Sequence, residues 1–82
     1  MRMGNKEMTI SDQFNTLLDF IQFSMTAPEF EEMVSRLLTP RERAGLPTPL
    51  TRVGFLDSIR IYGRLDDVER YLRGNFTDRF KG

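Results

Sequence analysis

Apolar side chains recur at intervals of three and four residues along most of the chain, the spacing that places them on one face of an α-helix. The first series consists of Ile10, Phe14, Leu17, Leu18, Ile21 and Met25. Ser11 is predicted as the N-cap of this helix, and Ile10, just before the cap, can pack onto the first turn. Phe20 and Phe23 lie off this stripe and enlarge the apolar surface beyond the usual need of a small monomer. The pattern therefore predicts a helix that meets a partner helix.

Two capping boxes divide the following stretch into two helices. In Thr26–Glu29 and again in Thr39–Glu42, the threonine hydroxyl can accept the glutamate N–H while the carboxylate accepts the threonine N–H. The first of these helices carries an apolar stripe made of Phe30, Met33, Val34, Leu37 and Leu38. Gly45 is predicted to end the second, short helix.

The last third of the chain predicts three further helical segments. Residues 51–62 resume the helical spacing, although the pattern of residues 59–62 also fits a strand; we prefer a helix because no second strand is present to pair with it. Gly63 and Gly74 are predicted to end this helix and the next one, Leu65–Arg73. Phe76 and Phe80, four residues apart, predict the start of a final helix that the chain end cuts short.

These elements together predict an all-α fold of about five short helices. Residues 11–82 are expected to form a single helical domain, behind a flexible N-terminal arm of residues 1–10. With only 82 residues, the domain has a thin core.

Composition narrows the chemistry of this domain. The absence of cysteine and histidine excludes disulfides, thiolate catalysis and the commonest general base and metal ligand. The adjacent pairs Glu31–Glu32 and Asp66–Asp67 would point about 100° apart on a helix, so neither converges on one site. No apolar run is long enough to span a membrane, and residues 1–10 do not resemble a signal peptide. We therefore expect a cytoplasmic protein that is not an enzyme and has no metal or cofactor.

Charge is balanced overall but not along the chain. Twelve basic and twelve acidic residues cancel, yet residues 1–38 carry a net charge of −3 and residues 39–82 a net charge of +3. Ten of the twelve basic residues are arginine, which suits contacts to phosphate or guanine. The alternative is that these arginines pair with the interleaved Asp and Glu on solvated helix faces.

The two predicted helices around Gly74 have the outline of a helix-turn-helix. In that motif, residues at the start of the second helix contact DNA in the major groove. The candidates for DNA contact are Thr77, Arg79 and Lys81 at the start of the second helix, together with Arg73 at the end of the helix before it. The alternative is a plain helical hairpin followed by a tail.

Residues 33–46 resemble the Trp-repressor-like superfamily, in which a helix runs into a Leu-Leu-Thr-Pro-x-Glu-Arg segment as it does at residues 37–43 here. The resemblance implies an intertwined helical homodimer whose C-terminal helices bind an operator, here with a truncated helix-turn-helix. It also implies a co-repressor pocket at Thr39 and Arg52. The predicted dimer interface consists of Phe14, Leu17, Leu18, Ile21, Phe30, Val34 and Leu37.

Two functional hypotheses follow. The first is a small DNA-binding transcriptional regulator of Trp-repressor-like type. The second is a protein-interaction module, a small regulator or inhibitor that presents helix faces to a larger protein partner. The DNA-binding regulator is the leading hypothesis, and the zero net charge, the short recognition helix and the surplus of apolar aromatics in the first half motivate the alternative.

Overall fold

A computed structural model describes residues 9–80 of the chain. Within that range the chain forms five helices and no strand. In chain order they are α1 (Ile10–Phe23), α2 (Ala27–Leu37), α3 (Pro40–Ala44), α4 (Arg52–Ile61) and α5 (Leu65–Asn75). The prediction of an all-α fold is confirmed, and residues 59–61 belong to α4 rather than to a strand.

The first helix begins two residues earlier than predicted. The Thr9 side chain accepts the backbone N–H of Asp12 at 3.0 Å, so Thr9 is the N-cap and Ile10 is already helical. The prediction of Ser11 as the cap was wrong because two capping residues lie close together, and Thr9 is the one with an extended backbone. Residues 1–8 of the predicted arm lie outside the described residues.

Both predicted capping boxes form. Thr26 and Glu29 exchange hydrogen bonds of 2.9 and 3.3 Å at the start of α2. Thr39 and Glu42 do the same, at 2.9 and 3.1 Å, at the start of α3. Gly45 is the C-cap of α3, as predicted. These caps fix the chain direction at two corners with hardly any connecting loop.

The end of α5 differs from its prediction. The helix continues through Gly74 to Asn75, and the Phe76 N–H still donates to the Leu72 carbonyl at 2.8 Å. A turn over residues 77–79 follows in place of a further helix. The glycine permits a helix stop but does not enforce one, because glycine also adopts the ordinary helical backbone angles. The helix-turn-helix predicted around Gly74 is therefore not formed within residues 9–80.

The core is built where α1 and α4 pack side by side in opposite directions, with α5 against both. Arg52, at the start of α4, reaches the end of α1, and Arg60, near the end of α4, lies over the ring of Phe14 near the start of α1. Phe76 and Phe80 pack on Phe20, with ring centroids 5.6 and 5.2 Å apart. The C-terminal segment is thus part of the core.

The apolar stripe predicted as a dimer interface is covered by its own chain. Leu17, Ile21, Phe30 and Val34 are buried in the core, and Phe14, Leu18 and Leu37 pack against it at partial exposure. The sequence correctly indicates that this face needs a partner, and α4 and α5 of the same chain supply one. A homodimer is not required to cover these side chains.

Two glycine substitutions are expected to change stability in opposite directions. Gly74→Ala should raise the free energy of unfolding by about 0.5 kcal/mol, because Gly74 is helical and a Cβ there meets nothing within 4 Å. Gly63→Ala should lower it by about 1 kcal/mol, since Gly63 has a φ of +73°. Thermal unfolding followed by circular dichroism checks both. Destabilisation by Gly74→Ala would instead favour the predicted helix stop.

Candidate functional site

The arginines of the described residues are bound within their own chain. Of the nine arginines between residues 9 and 80, all but Arg41 donate hydrogen bonds to a carboxylate or a backbone carbonyl. The same range holds eleven Asp and Glu and no lysine, so its net charge is −2. The sequence left two interpretations of these arginines open: contacts to nucleic acid, or pairing with nearby Asp and Glu. The observed hydrogen bonds agree with the second.

Within residues 9–80, the positions predicted to contact DNA are not gathered at a helix start. Arg73 donates to the Glu69 carboxylate one turn earlier on α5, at 2.7 and 3.0 Å. Thr77 is exposed in the turn after α5, and Lys81 lies outside the described residues. Arg73, on α5, and Thr77, in the turn, therefore do not share one helical recognition face.

Arg79, the fourth predicted DNA contact, ties the C-terminal segment to the α1–α2 corner. Its guanidinium donates to the carbonyl of Ser24 at 2.9 Å and to the carboxylate of Glu29 at 2.8 Å. It also stacks 4.6 Å from the ring centroid of Phe76. A contact to phosphate would have to replace these interactions.

The two residues of the implied co-repressor pocket serve different helix ends. The Thr39 hydroxyl caps α3. Arg52 uses one guanidinium nitrogen, Nη1, to donate to the carbonyls of Ile21 and Met25, both at 2.6 Å, at the end of α1. Its guanidinium carbon lies 5.6 Å from the ring centroid of Phe30. Both polar groups already have partners in the fold.

Arg64 makes a third link of this kind, which the sequence analysis missed. It donates to the carbonyl of Leu37 at 2.7 Å, at the end of α2, and to Asp67 at 3.2 Å. It also lies 3.6 Å from the Glu42 carboxylate of α3. The position of Arg64 between Gly63 and the start of α5 is only a weak sequence signal for this link. Nothing in the neighbouring sequence identifies the carbonyl of Leu37 as its acceptor.

Several exposed apolar side chains lie along α4 and at the start of α1. Ile61 is 70% exposed and Ile10 is 66% exposed, whereas Phe55, Leu56 and Ile59 on the other side of α4 are buried. We define the α1–α4 surface by Ile10, Phe14, Val53, Asp57, Arg60 and Ile61. Because α4 carries apolar residues on two faces, its sequence does not indicate which face is covered, and the sequence analysis did not single out this surface.

An open groove of about 370 Å³ runs across this surface between the two helices. Ile10 and Phe14 line it on α1, and Asp57 and Arg60 line it on α4. Arg60 pairs with Asp57, and its guanidinium carbon lies 5.5 Å from the Phe14 ring centroid. The groove thus combines an apolar wall with one charge of each sign at its edge.

Other kinds of site find little support in the described residues. No group of three or more acidic side chains in residues 9–80 is placed to hold a metal ion. Each helix in that range is too short and too polar to cross a membrane. Comparison with protein-family models, curated proteins and solved structures gives no match for this chain.

Removing the Arg52 guanidinium should destabilise the fold. Arg52→Met keeps much of the aliphatic stem but leaves the carbonyls of Ile21 and Met25 without their charged donor, at an expected cost of about 1.5–3 kcal/mol. Arg41→Met makes the same chemical change at an exposed arginine and should stay within about 0.5 kcal/mol of wild type. Urea unfolding at neutral pH measures both variants. Equal stability of the two would contradict the role given to Arg52.

Acid should weaken the fold through two carboxyl groups. The pKa of Glu29 is lowered from its ordinary 4.5, first by the Thr26 backbone N–H and then by Arg79. The pKa of Glu69 is lowered from 4.5 by hydrogen bonds from Gln13 and then Arg73. A lowered folded-state pKa stabilises the fold above the unfolded pKa, and that contribution is lost as the pH falls through the folded pKa.

Titration by NMR should separate the two groups. Arg79→Met is expected to raise the pKa of Glu29 and leave that of Glu69, whereas Arg73→Met should do the reverse. The melting temperature of wild type should fall as the pH drops below about 4.5. A Glu29 pKa that does not respond to Arg79→Met would show that this ion pair is absent in solution.

Proposed function

We propose that this domain is a non-enzymatic protein-interaction module that binds a protein partner through the α1–α4 surface. The observation that carries the proposal is the exposure of Ile10, which lines the groove, and of Ile61 on the neighbouring helix. Most other large apolar side chains of residues 9–80 are at least partly buried, and the further exceptions are Phe23, Val53 and Tyr62. Single exposed apolar residues are ordinary on a protein surface. Here they lie along two neighbouring helices.

The composition of the surface fits protein recognition. Interfaces typically combine a central apolar cluster with charged groups at the rim, and a few large side chains carry most of the binding energy. Ile10, Ile61 and the Phe14 ring supply the apolar part, while Asp57 and Arg60 supply the rim. A helix of the partner would suit the groove between α1 and α4.

The charge distribution favours protein over duplex DNA as the partner. Phosphate binding draws its affinity from cations that release counterions. The chain carries no net charge, and Arg73 and Arg79 are paired with Glu69 and Glu29. DNA binding by a Trp-repressor-like regulator stays a prediction of the sequence resemblance.

A quantitative pull-down with three forms of the chain tests the proposal. Wild type, Ile61→Asp and Phe23→Asp are immobilised and exposed to a lysate of the source cells. Phe23→Asp is the matched control, because Phe23 is 78% exposed at the end of α1 and belongs to a different surface. A protein recovered by wild type and by Phe23→Asp, but reduced about tenfold by Ile61→Asp, supports the surface. Equal recovery by all three forms contradicts it.

A duplex-DNA titration on the same sample tests the other hypothesis. At salt concentrations of about 50 and 200 mM, we expect no micromolar binding. Tight binding that weakens steeply with salt and is lost in Arg79→Ala would overturn the interaction-module proposal in favour of the DNA-binding regulator.

A further inference from the structure

The exposed side of α4 is nearly symmetric about its middle. Val53, Asp57 and Ile61 follow one another at intervals of four residues, so they lie on the same side of the helix. Val53 is 43% exposed and Ile61 is 70% exposed, with the Asp57 side chain between them 46% exposed. The stripe therefore has an apolar residue on each side of a central carboxylate.

We propose that the partner of the α1–α4 surface is a second copy of this chain, with the two α4 helices packed antiparallel about a two-fold axis near Asp57. This inference rests on the proposed function and names its partner. A two-fold axis makes the same patch serve on both copies. Placed near Asp57, it brings Val53 of each copy level with Ile61 of the other.

The charges of the stripe suit such a self-contact. Arg60 pairs with Asp57 on the same helix, with the two side chains 45% and 46% exposed. In the antiparallel arrangement, Arg60 of each copy also comes within reach of Asp57 of the other. The two carboxylates near the axis are then surrounded by two guanidinium groups, and the net charge of the four is zero. A partner whose surface carries charges of only one sign would place a like charge opposite either Asp57 or Arg60.

The size of the surface sets the expected strength. Helix α4 has ten residues and is about 15 Å long, so a contact through α4 alone is small. The groove between α1 and α4, which Ile10 and Phe14 line beside Arg60, extends this contact. An interface of this size falls at the low end for specific association. We expect a dissociation constant in the micromolar range.

Sedimentation equilibrium over about 1–200 µM of the full chain tests the dimer. Wild type and Phe23→Asp should show the same monomer–dimer equilibrium, and Ile61→Asp should raise the dissociation constant at least about tenfold. Circular dichroism confirms that each variant is folded, which is expected because both side chains are largely exposed. A wild type that stays monomeric across this range overturns the proposal.

A cysteine placed near the axis tests the geometry of the dimer by cross-linking. The chain has no cysteine of its own, so Asp57→Cys introduces a single thiol. A disulfide forms only where two Cα atoms come within about 7 Å, so mild oxidation should yield a covalent dimer of Asp57→Cys. Asp19→Cys, which is exposed on α1 outside the surface, is the control. Equal cross-linking of the two variants overturns the proposed axis.

The two proposals fail in different ways. If wild type is monomeric but a different protein is captured through a surface that Ile61→Asp disables, the second copy is overturned and the interaction module stands. If wild type dimerises and Ile61→Asp dimerises equally well, the assigned surface is wrong, which overturns the dimer geometry. A pull-down that is also unaffected by Ile61→Asp overturns the interaction-module proposal.

Discussion

The fold depends on arginine side chains that satisfy the carbonyl groups at helix ends. Each helix leaves four carbonyls without an intrahelical partner, and five short helices in a small domain give a high proportion of such ends. Arg52 and Arg79 bind carbonyls at the end of α1, and Arg64 binds one at the end of α2. The donors come from later parts of the chain, so each bond also joins elements that are distant in sequence.

This use of arginine determines what the surface can do. A guanidinium that is held between a carbonyl and a carboxylate contributes little to a positive surface potential. Most arginines in the second half of the chain pair with groups of the same chain, although their side chains remain partly exposed. The surface along α1 and α4 is mixed in charge and locally apolar. The recognition by apolar contact that we propose, with Asp57 and Arg60 at the rim, is compatible with that distribution.

The C-terminal segment, residues 76–80, also serves the packing of the domain. Phe76 and Phe80 pack on Phe20, and Arg79 between them binds back to the α1–α2 corner. The spacing of this segment resembles the start of a recognition helix. In the structure the segment instead completes the small hydrophobic core. The spacing of four between the two phenylalanines reflects packing against α1 across a turn.

The sequence by itself determined the local structure. Threonine, proline and glutamate at set positions place the starts of α2 and α3, because a capping box is made by residues three apart. Apolar spacing likewise identified the helices and the stripe from Phe14 to Leu37 as a face that must be covered. The start of α1 and the end of α5 were misplaced, since two caps competed near Ser11 and a glycine allows a helix stop without imposing it.

Only the tertiary structure decided which partner each face and each arginine receives. The stripe on α1 and α2 is covered by α4 and α5 of the same chain, while Val53 and Ile61 on the far side of α4 stay exposed. Arg79 lies 50 residues from Glu29 in sequence, and Arg52 and Arg64 bind carbonyls that no local pattern marks. The spacing of residues in the sequence indicates which side chains lie on one face of a helix. The identity of the opposite surface depends on how the helices pack, and contacts between distant residues set that.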